Sequence, residues 1–541
     1  MAARRVCILG GGPGGLYLAA LLRRRHPRVE VVLHERNEPG ATFGFGVGLT
    51  GRARGSLSRT DPEIFEELMA VGVFSRGHEF QLPSGPIAIA SPAPVFLVGR
   101  AAMLEILARK AAERGVELSF GHEVSAEELD GDVVVAADGA NSPTRRSLEA
   151  DLGVEVALGT ELYLWCGADF ALPRNTFIPV QTEHGVFVAH AYPYSADRST
   201  FLIETDEQTW RRAGFDQAEA RLASAPAEAS DEASMAYLQE AFGEHLDGHS
   251  LLGNRTRWLR FPSIRAERWH HGRTVLLGDA IHTAHYSIGS GTKLAMEDAI
   301  TLADVLDFDD LPRTFRVYQA RRRPHVHRVQ HVARRSQLWW RSFPERLHRP
   351  AAEIAVSFMT RAGAVSLEQL QGTNAPLVAD ALSELSNGSG ACVPGADVGR
   401  WVAQQQLSWG GGRSSERLLA LERPVVALED PTPPAVVDAR AAHGPDAVLV
   451  AMLPIATDDA RSPEADALLA TAHELARAGA DGVCLTGSAG RDALMDRAAL
   501  AERLHEALAC RVVVQGSDRD LDVLMASIAA GRADAVVASE Q

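Results

Sequence analysis

The chain has 541 residues, of which 46% are hydrophobic and 23% are charged, and its formal net charge is −16. This length exceeds what one hydrophobic core serves, so we expect roughly two to four domains of about 150 residues each. The composition is that of a folded globular protein and excludes a disordered chain, while the negative charge disfavours binding to nucleic acid or to an anionic membrane.

The five cysteines are scattered and show no CxxC spacing, which argues against a disulfide framework or a zinc site. The opening segment MAARRVCILGGG reaches glycines after too few apolar residues for a secretory signal. No apolar run approaches the roughly 18 residues of a membrane span. We therefore expect a cytoplasmic protein with no metal centre and no membrane partner.

The predicted elements begin with a βαβ unit. Residues 4–9 and VEVVLHER at 29–36 are typical of buried parallel strands, and residues 14–25 of a helix. From about 155 to 265, runs such as LYLWCGADF and GVFVAHAYPY alternate like an antiparallel sheet, where we expect the substrate wall. The sequence of residues 293–385 predicts helices.

A linker is expected at 386–416, where SNGSGACVPGADVGR and SWGGGRSSER are rich in glycine and polar residues. The tail, residues 417–541, alternates short β runs with alanine-rich helices. It has half of the ~250 residues that a closed eight-stranded barrel needs. The fold class is therefore α/β: a Rossmann-type domain over 1–385 with an inserted antiparallel layer, then a partial (βα) barrel or an open parallel sheet.

A glycine-rich turn separates the first predicted strand from the first helix and matches GxGxxG at Gly10, Gly12 and Gly15. Such glycines bring backbone N–H groups and a helix N-terminus onto a pyrophosphate. Glu35 lies 20 residues after Gly15, where a carboxylate can bind ribose hydroxyls. The pattern alone is weak, because glycine loops also arise by chance. The predicted cofactor-binding residues are Gly10, Gly12, Pro13, Gly14, Gly15, Glu35 and Arg36.

Two further strands end in acidic motifs. GDVVVAADGANSPTRR contains Asp138 and Gly139, and RTVLLGDAIH contains Gly278 and Asp279. Ligands of open α/β sheets bind beyond the carboxyl ends of the strands, so both motifs are predicted to face the dinucleotide. Asp279 has a second interpretation as an ordinary helix N-cap.

With these three motifs in order across residues 1–385, the sequence resembles the group A flavoprotein monooxygenases. The resemblance implies FAD bound at the glycines and Glu35, with Arg100 near the pyrophosphate and Asp279 near the ribitol. It also implies NADH or NADPH as reductant, and O2 that forms a C4a-hydroperoxyflavin and hydroxylates an electron-rich ring. No separate nicotinamide domain is expected.

The stretches FGFGVGLTGRARG and FVAHAYPYSADRSTFLIET resemble the narrower salicylyl-CoA 5-hydroxylase and 2-aminobenzoyl-CoA monooxygenase/reductase family. That resemblance implies a small aromatic substrate carried as a CoA thioester. Two alternatives stay open: hydroxylation of a free aromatic, an indole or another unsaturated ring in secondary metabolism, and an inactive flavin-binding scaffold.

The tail is similar to the last part of an old-yellow-enzyme domain at LARAGADGVCLTG and IAAGRADAVVASE. It departs from that pattern because it is short, contains no tyrosine, and has Ser539 and Glu540 where an arginine would hold the flavin phosphate. A carboxylate there would repel phosphate. We expect a degenerate domain that binds no FMN and serves packing or oligomerisation; a homodimer is left open.

Several residues are predicted to surround the flavin ring. The loop FGFGVGLT places Gly46 and Val47 beside it, with Phe43 and Phe45 either stacked on a ring or packed in the core. Gly289 and Gly291 are expected to aim a helix N-terminus at the ring, where the positive helix end favours a reduced, anionic flavin.

The predicted catalytic residues lie on a strand and on the segment after the third motif. His190, Tyr192 and Tyr194 alternate and so share one face, as a substrate wall or as a plain polar patch. His285 and Tyr286 stand where many family members have prolines and are expected to touch substrate. Lys293, one of two lysines, is either turned to solvent or placed to stabilise the reduced flavin.

Overall fold

A computed structural model describes residues 4–91, 93–222, 226, 229–386, 397–409, 413–421, 425–457, 459–460 and 462–539. The chain forms two compact units, one of residues 1–81 and 91–333, the other of 82–90 and 334–541. Their boundary lies before the linker predicted at 386–416, and the limits of the predicted domains stay a prediction. Residues 387–396 and 410–412 of that linker, and Glu540, lie outside the described residues.

Strands occupy the following segments of the described residues: β1 (Arg5–Leu9), β2 (Glu30–Glu35), β3 (Gly46–Leu49), β4 (Val73–Ser75), β5 (His78–Leu82), β6 (Gly85–Ile89), β7 (Val95–Gly99), β8 (Glu117–Phe120), β9 (Val133–Ala136), β10 (Val154–Ala168), β11 (Asn175–Thr182), β12 (Gly185–Pro193), β13 (Ser199–Thr205), β14 (Leu251–Leu252), β15 (Trp258–Ala266), β16 (His270–His271), β17 (Thr274–Leu276), β18 (Gln406–Trp409), β19 (Arg413–Glu416), β20 (Val425–Leu428), β21 (Val448–Pro454), β22 (Gly482–Thr486), β23 (Arg511–Ser517) and β24 (Ala535–Ser539).

The α-helices of the same residues are α1 (Pro13–Arg25), α2 (Gly51–Thr60), α3 (Pro62–Val71), α4 (Arg100–Glu113), α5 (Pro143–Ser147), α6 (Glu149–Leu152), α7 (Glu207–Arg212), α8 (Phe215–Leu222), α9 (Glu232–Ala241), α10 (Gly243–Leu246), α11 (Gly291–Val305), α12 (Leu311–Arg341), α13 (Ala351–Thr360), α14 (Leu367–Leu382), α15 (Val398–Ala403), α16 (Pro433–His443), α17 (Pro463–Arg477), α18 (Arg491–Ala507) and α19 (Leu521–Ala529). In the described part of the chain, none of these helices combines the length and the apolar character that crossing a membrane requires.

The larger unit contains a mainly parallel sheet in the order β16-β17-β9-β1-β2-β8. The central strand β1 runs parallel to β9 on one side and to β2 on the other. Its apolar run VCIL is buried, as a strand covered on both faces requires. The carboxyl ends of β1, β9 and β17 therefore meet at one edge of the sheet.

An antiparallel sheet in the same unit follows the order β14-β10-β13-β12-β11-β5, with β15 paired to β10. Alternate residues of its strands, such as Leu164, Ala189, Phe201 and Ile203, are buried in a cluster with aromatic side chains of the following helices. Because side chains alternate along a strand, the residues between them face the other side of the sheet. This is the layer that the sequence predicted at about 155–265.

The smaller unit contains a parallel sheet whose strands follow chain order, β20-β21-β22-β23-β24. Helices connect successive strands, which is the connection that parallel pairing demands. Sequential order is that of an arc of a (βα) barrel, whereas doubly wound sheets reverse direction at a switch point. The predicted α/β class is confirmed, and the likeness of this unit to old yellow enzyme stays a prediction.

Candidate active site

The glycine turn after β1 is too crowded for side chains at two of its positions. A Cβ added to Gly10, whose φ is +102°, would lie 2.2 Å from the carbonyl oxygen of Ala137. A Cβ on Gly15 would lie 2.1 Å from the carbonyl oxygen of Gly10. At Gly12, by contrast, no atom of the described residues lies within 4 Å of an added Cβ. The turn is thus packed on its inner side and open on its outer side.

Glu35 ends β2 beside this turn and holds it in place. Its carboxylate accepts a hydrogen bond from the Gly11 backbone N–H at 2.7 Å and others from the backbone and side chain of Asn37 at 2.9 and 2.5 Å. The neighbouring Arg36 is half exposed, with its guanidinium 3.8 Å from Glu123. Binding of ribose by Glu35, and a cofactor contact by Arg36, stay predictions.

The second motif follows β9 and is linked to the third by an arginine. One carboxylate oxygen of Asp138 accepts a hydrogen bond from the Thr144 hydroxyl at 2.9 Å, while Oδ1 is buried with no partner among the described residues. Arg145 donates to the carbonyl oxygens of Ala140 at 2.7 Å and Ala280 at 3.0 Å. The two motifs are therefore tied together across the strand ends.

The third motif is anchored to α11 by a buried carboxylate. Asp298 accepts hydrogen bonds from the Gly278 backbone N–H at 2.9 Å and from Arg322 at 2.7 Å, and it lies 2.6 Å from His282 Nε2. Burial alone would raise the pKa of Asp298, but His282 and Arg322 hold it below its usual value. His282 thus supports the turn that presents Asp279.

Asp279 and Arg100 carry opposite charges toward the same region. Desolvation raises the pKa of Asp279, and His282 and Arg100 oppose that rise. Burial lowers the pKa of Arg100, whose Nε has no hydrogen-bond partner among the described residues. The Arg100 backbone N–H donates to the Phe45 carbonyl at 2.7 Å, which sets the start of α4 against the loop that carries Gly46 and Val47.

These residues fit an adenine dinucleotide. Polar atoms of Asp138 and Arg100 are buried without a partner in the described structure, and Gly12, Gly139 and Gly289 border open space. Gly291 begins α11 close to Asp279, whose Oδ1 would lie 3.8 Å from an added Cβ. Open glycine backbone at two helix N-termini is the arrangement that receives pyrophosphate and a negative ring.

Lys293 lies in the first turn of α11, and its ammonium group is 4.0 Å from the Glu297 carboxylate. Glu297 also pairs with Arg322 at 3.2 Å and with His325 at 3.3 Å. The side chain of Lys293 is 11% exposed, so it is not simply turned to solvent. The structure places it in an ion cluster along α11, and its predicted role toward the reduced flavin stays a prediction.

The strands of the antiparallel sheet bring a set of polar and aromatic side chains to one face. His190 lies directly opposite Phe177 and Leu202, and Tyr163 lies opposite Glu204. Tyr192 lies two residues beyond His190 and shares this face. His190 and Tyr192 are on the face turned away from the apolar cluster, whereas Tyr194 lies in a bend beyond the end of β12, with its ring beside Gly99.

Glu204 is the charged centre of this face. It is buried, its carboxylate accepts a hydrogen bond from the Tyr286 hydroxyl at 2.6 Å, and its other oxygen lies 3.3 Å from His190 Nε2. Burial would raise the pKa of Glu204, but His190, Tyr286 and His285 together lower it. Burial and the same carboxylate hold the pKa of Tyr286 well above its usual value, so this phenol keeps its proton.

Aromatic rings enclose this carboxylate. The Tyr286 ring centroid lies 4.7 Å from Tyr163, 4.0 Å from His285 and 6.1 Å from His190. Phe261 contacts both His285 at 5.0 Å and Tyr286 at 5.9 Å. Centroid distances in this range are those of favourable ring packing, so the rings form one continuous wall.

Tyr192 has a supporting contact. Its hydroxyl donates to the Gly46 carbonyl at 2.9 Å, and the Gly46 backbone N–H donates to the Thr200 hydroxyl at 2.8 Å. Burial raises the pKa of Tyr192 to about 12. These bonds fix the glycine loop against the sheet, and a catalytic role for Tyr192 stays a prediction.

We expect His285→Asn to make the free energy of unfolding fall less steeply as the pH is lowered below 6.5. Burial lowers the pKa of His285 from 6.5 to about 3, although Glu204 opposes the shift. Between these values the unfolded chain binds one more proton than the folded chain, so stability contributed by neutral His285 is present above pH 6.5 and lost as the pH falls. The loss is about 1.4 kcal/mol per pH unit.

Urea midpoints of both proteins between about pH 7 and 5 measure this difference in slope. His122→Asn, at an exposed histidine, is the matched control and should leave the slope unchanged. Parallel profiles for wild type and His285→Asn would contradict the assignment.

Sequence reasoning missed several residues of this site. Glu204, Tyr163 and Phe261 were not predicted. The charge of Glu204 is nevertheless a visible signal, because it interrupts the apolar strand STFLIET and lies on the same face of the sheet as His190 on the neighbouring strand. Asp298 was also missed, since a helix acid 20 residues after Gly278 has no local signature.

The fold and the site define a dinucleotide-binding α/β protein with a buried cluster of aromatic and histidine side chains on an inserted sheet. A family model described as an FAD binding domain matches residues 126–333. The chain is 40% identical over 368 residues to salicyloyl-CoA 5-hydroxylase of a Streptomyces species, covering 66% of this chain and 69% of that protein.

It is also 36% identical over 374 residues to a 3-hydroxy-4-methyl-anthranilyl-[aryl-carrier protein] 5-monooxygenase of Streptosporangium sibiricum, covering 68% of this chain and 96% of that protein. The tetrameric form of 2-methyl-3-hydroxypyridine-5-carboxylic acid oxygenase shares the fold, with a TM-score of 0.51 at 16% identity over 67% of this chain and 96% of that chain. The chain belongs to the group A flavoprotein monooxygenases, as predicted. It is a flavin-dependent aromatic monooxygenase that uses FAD, with a nicotinamide cofactor as co-substrate.

Proposed function

We propose that this monooxygenase hydroxylates an aromatic acid held as a thioester and carrying a hydroxyl or amino group on its ring. The observation that carries the proposal is the hydrogen bond from Tyr286 to the buried carboxylate of Glu204. The names of the two relatives, a salicyloyl-CoA and an anthranilyl-[aryl-carrier protein] enzyme, support a ring donor and a thioester. The expected compartment is the cytoplasm.

Tyr286 keeps its proton and donates it in a hydrogen bond to Glu204, so the lone pairs of its oxygen are left to accept a hydrogen bond from the substrate. A hydroxyl or amino group on the ring is a donor of that kind. Accepting its hydrogen bond raises electron density in the ring, which favours attack by an electrophilic oxygen. A ring without a donor would leave the Tyr286 oxygen unpaired, and such a mismatch discriminates strongly between substrates.

Bound FAD supplies the redox chemistry, in which the nicotinamide provides the electrons and O2 provides the oxygen atom. The residues of this chain then have separate tasks. Gly12 and Asp279 would bind and orient the cofactor, on a turn that Gly10 and Gly15 allow to pack tightly, and the rings of Tyr163 and Phe261 would exclude water from the substrate. His285 is neutral at physiological pH because burial lowers its pKa, so it adds no positive charge beside the reacting ring.

A matched panel of substrates tests the proposal. Purified protein is given 2-hydroxybenzoyl-CoA, 2-aminobenzoyl-CoA, benzoyl-CoA and the corresponding free acids, and both NAD(P)H consumption and product mass are recorded. We expect the two donor-bearing thioesters alone to stimulate NAD(P)H oxidation strongly and to gain one oxygen atom. Tyr286→Phe should remove the preference over benzoyl-CoA.

Three outcomes contradict the proposal. Equal turnover of free acids and thioesters would show that no thioester is required. Equal turnover of benzoyl-CoA would show that no hydrogen-bond donor on the ring is required. If no aromatic stimulates NAD(P)H oxidation while FAD is bound, the chain is a flavin-binding scaffold.

A further inference from the structure

The smaller unit contains a cavity lined by residues of α12 and α18, by Arg361 directly after α13 and by Arg532 after α19. It lies wholly within that unit, whereas the flavin and substrate residues belong to the other. Its lining combines apolar side chains, including Leu338, Trp339 and Met495, with five arginines and four acidic residues.

Most of these arginines have an acidic partner. Arg346 lies 2.8 Å from the buried carboxylate of Glu502, and Arg335 pairs with Asp492 and, at 3.6 Å, with Asp496. Arg503 pairs with Asp466 at 2.5 Å. The charge of each of these guanidinium groups is balanced by a neighbouring carboxylate, which offsets the large cost of removing a charge from water.

Arg361 is the exception. Its Nε donates to the Ser336 hydroxyl at 2.9 Å, and its guanidinium also donates to the Phe358 carbonyl and lies 3.8 Å from the centroid of the Phe358 ring. No carboxylate of the described residues lies within ion-pair distance of it. The lining of the cavity thus contains a cation held in a fixed orientation by a hydroxyl, a carbonyl and a ring.

The neighbouring Arg532 adds to this imbalance. It is buried and donates to the Ser357 carbonyl at 2.7 Å and to the Thr360 hydroxyl at 3.1 Å. Its nearest carboxylate, Glu502 at 4.0 Å, is shared with Arg346 and Arg349. Burial and the nearby Arg532 lower the pKa of Arg361 to about 9. Burial lowers the pKa of Arg532 to about 10, against the opposing effect of Glu502.

We propose that this cavity is a binding site for the carboxylate of a small apolar acid, with Arg361 as its principal ligand. A monoanion would balance the guanidinium of Arg361, which has no carboxylate partner among the described residues, and a planar carboxylate matches the planar fork of arginine. The apolar body of the acid would lie on Leu338, Trp339 and Met495.

The test uses the full-length, FAD-loaded protein with benzoate, inorganic phosphate and chloride at constant ionic strength. Thermal unfolding and titration calorimetry are recorded for wild type, Arg361→Met and the exposed control Arg477→Met. A ligand that binds only the folded state raises its stability. We expect benzoate to stabilise wild type and Arg477→Met, with binding to Arg361→Met at least about tenfold weaker.

Without ligand, Arg361→Met should be no less stable than wild type, because the substitution removes an uncompensated positive charge. If Arg361→Met fails to fold, Arg361→Lys keeps the charge and should bind benzoate measurably but more weakly. The proposal is overturned if benzoate binds Arg361→Met as tightly as wild type, since binding then lies elsewhere. It is also overturned if phosphate or chloride stabilises as well as benzoate, or if no anion binds.

Discussion

Replacing Glu204 by glutamine should lower substrate-dependent turnover about 10²-fold while FAD remains bound, which is at the low end of the effect of removing a general acid–base group. Glu204 accepts the hydrogen bond of the Tyr286 hydroxyl and lies 3.3 Å from His190, so its negative charge acts on both side chains. A neutral amide keeps the volume but withdraws that charge. The Tyr286 oxygen then becomes a poorer acceptor for the ring donor of the substrate.

Stopped-flow absorbance of the flavin and steady-state product formation separate the two halves of the reaction in Glu204→Gln. We expect normal FAD content and unchanged reduction by NAD(P)H in the absence of aromatic substrate, with the loss confined to hydroxylation. Glu155→Gln, at an exposed glutamate on β10, is the control and should behave as wild type. Wild-type hydroxylation by Glu204→Gln would exclude the carboxylate from the mechanism.

Local signals in the chain were sufficient for the cofactor half of the site. The glycine spacing at Gly10, Gly12 and Gly15 and the acid at the end of the second strand depend only on residues within one βαβ unit. The acidic motifs at Asp138 and Asp279 follow apolar runs, so parallel pairing alone brings them to one edge. These features could be predicted because each consists of residues that lie close together in the sequence.

The substrate half depends on register between strands, which a single sequence does not record. The alternation of His190 and Tyr192 predicted a shared face, but the pairing of β10 with β13 is what brings Tyr163 opposite Glu204. Likewise, Glu204 meets Tyr286 across 82 residues of chain. Lys293 shows the same limit in part: Glu297 lies one turn along the same helix, but Arg322 and His325, the other partners of Glu297, belong to α12.

The boundary of the units illustrates a second limit. Composition changes near residue 386, where glycine and polar residues concentrate, and this predicted the linker. The helices after residue 334 nevertheless bury ion pairs with the (βα) segment, including Arg346 with Glu502. Long-range charge pairing of this kind leaves no mark in local composition, so the sequence could not assign these helices to the smaller unit.

Gly12→Val should weaken FAD binding by at least about 10²-fold without lowering the stability of the apoprotein. An added side chain at Gly12 meets no atom of the described residues within 4 Å, so it does not strain the fold. It does occupy the space that the pyrophosphate needs against the start of α1, and burying phosphate beside an apolar group costs several kcal/mol. Absorbance near the flavin band after purification, and thermal unfolding of the apoprotein, measure the two effects independently.

Two other glycines make this prediction specific. Gly15→Val should impair folding itself, because a Cβ there would lie 2.1 Å from the Gly10 carbonyl oxygen, whereas Gly243→Val adds the same side chain where α10 is open and should leave both FAD content and stability unchanged. Full flavin content in Gly12→Val would show that the cofactor phosphate does not approach this turn. The contrast between Gly12 and Gly15 therefore separates a glycine kept free for the ligand from one required by the packing of the chain.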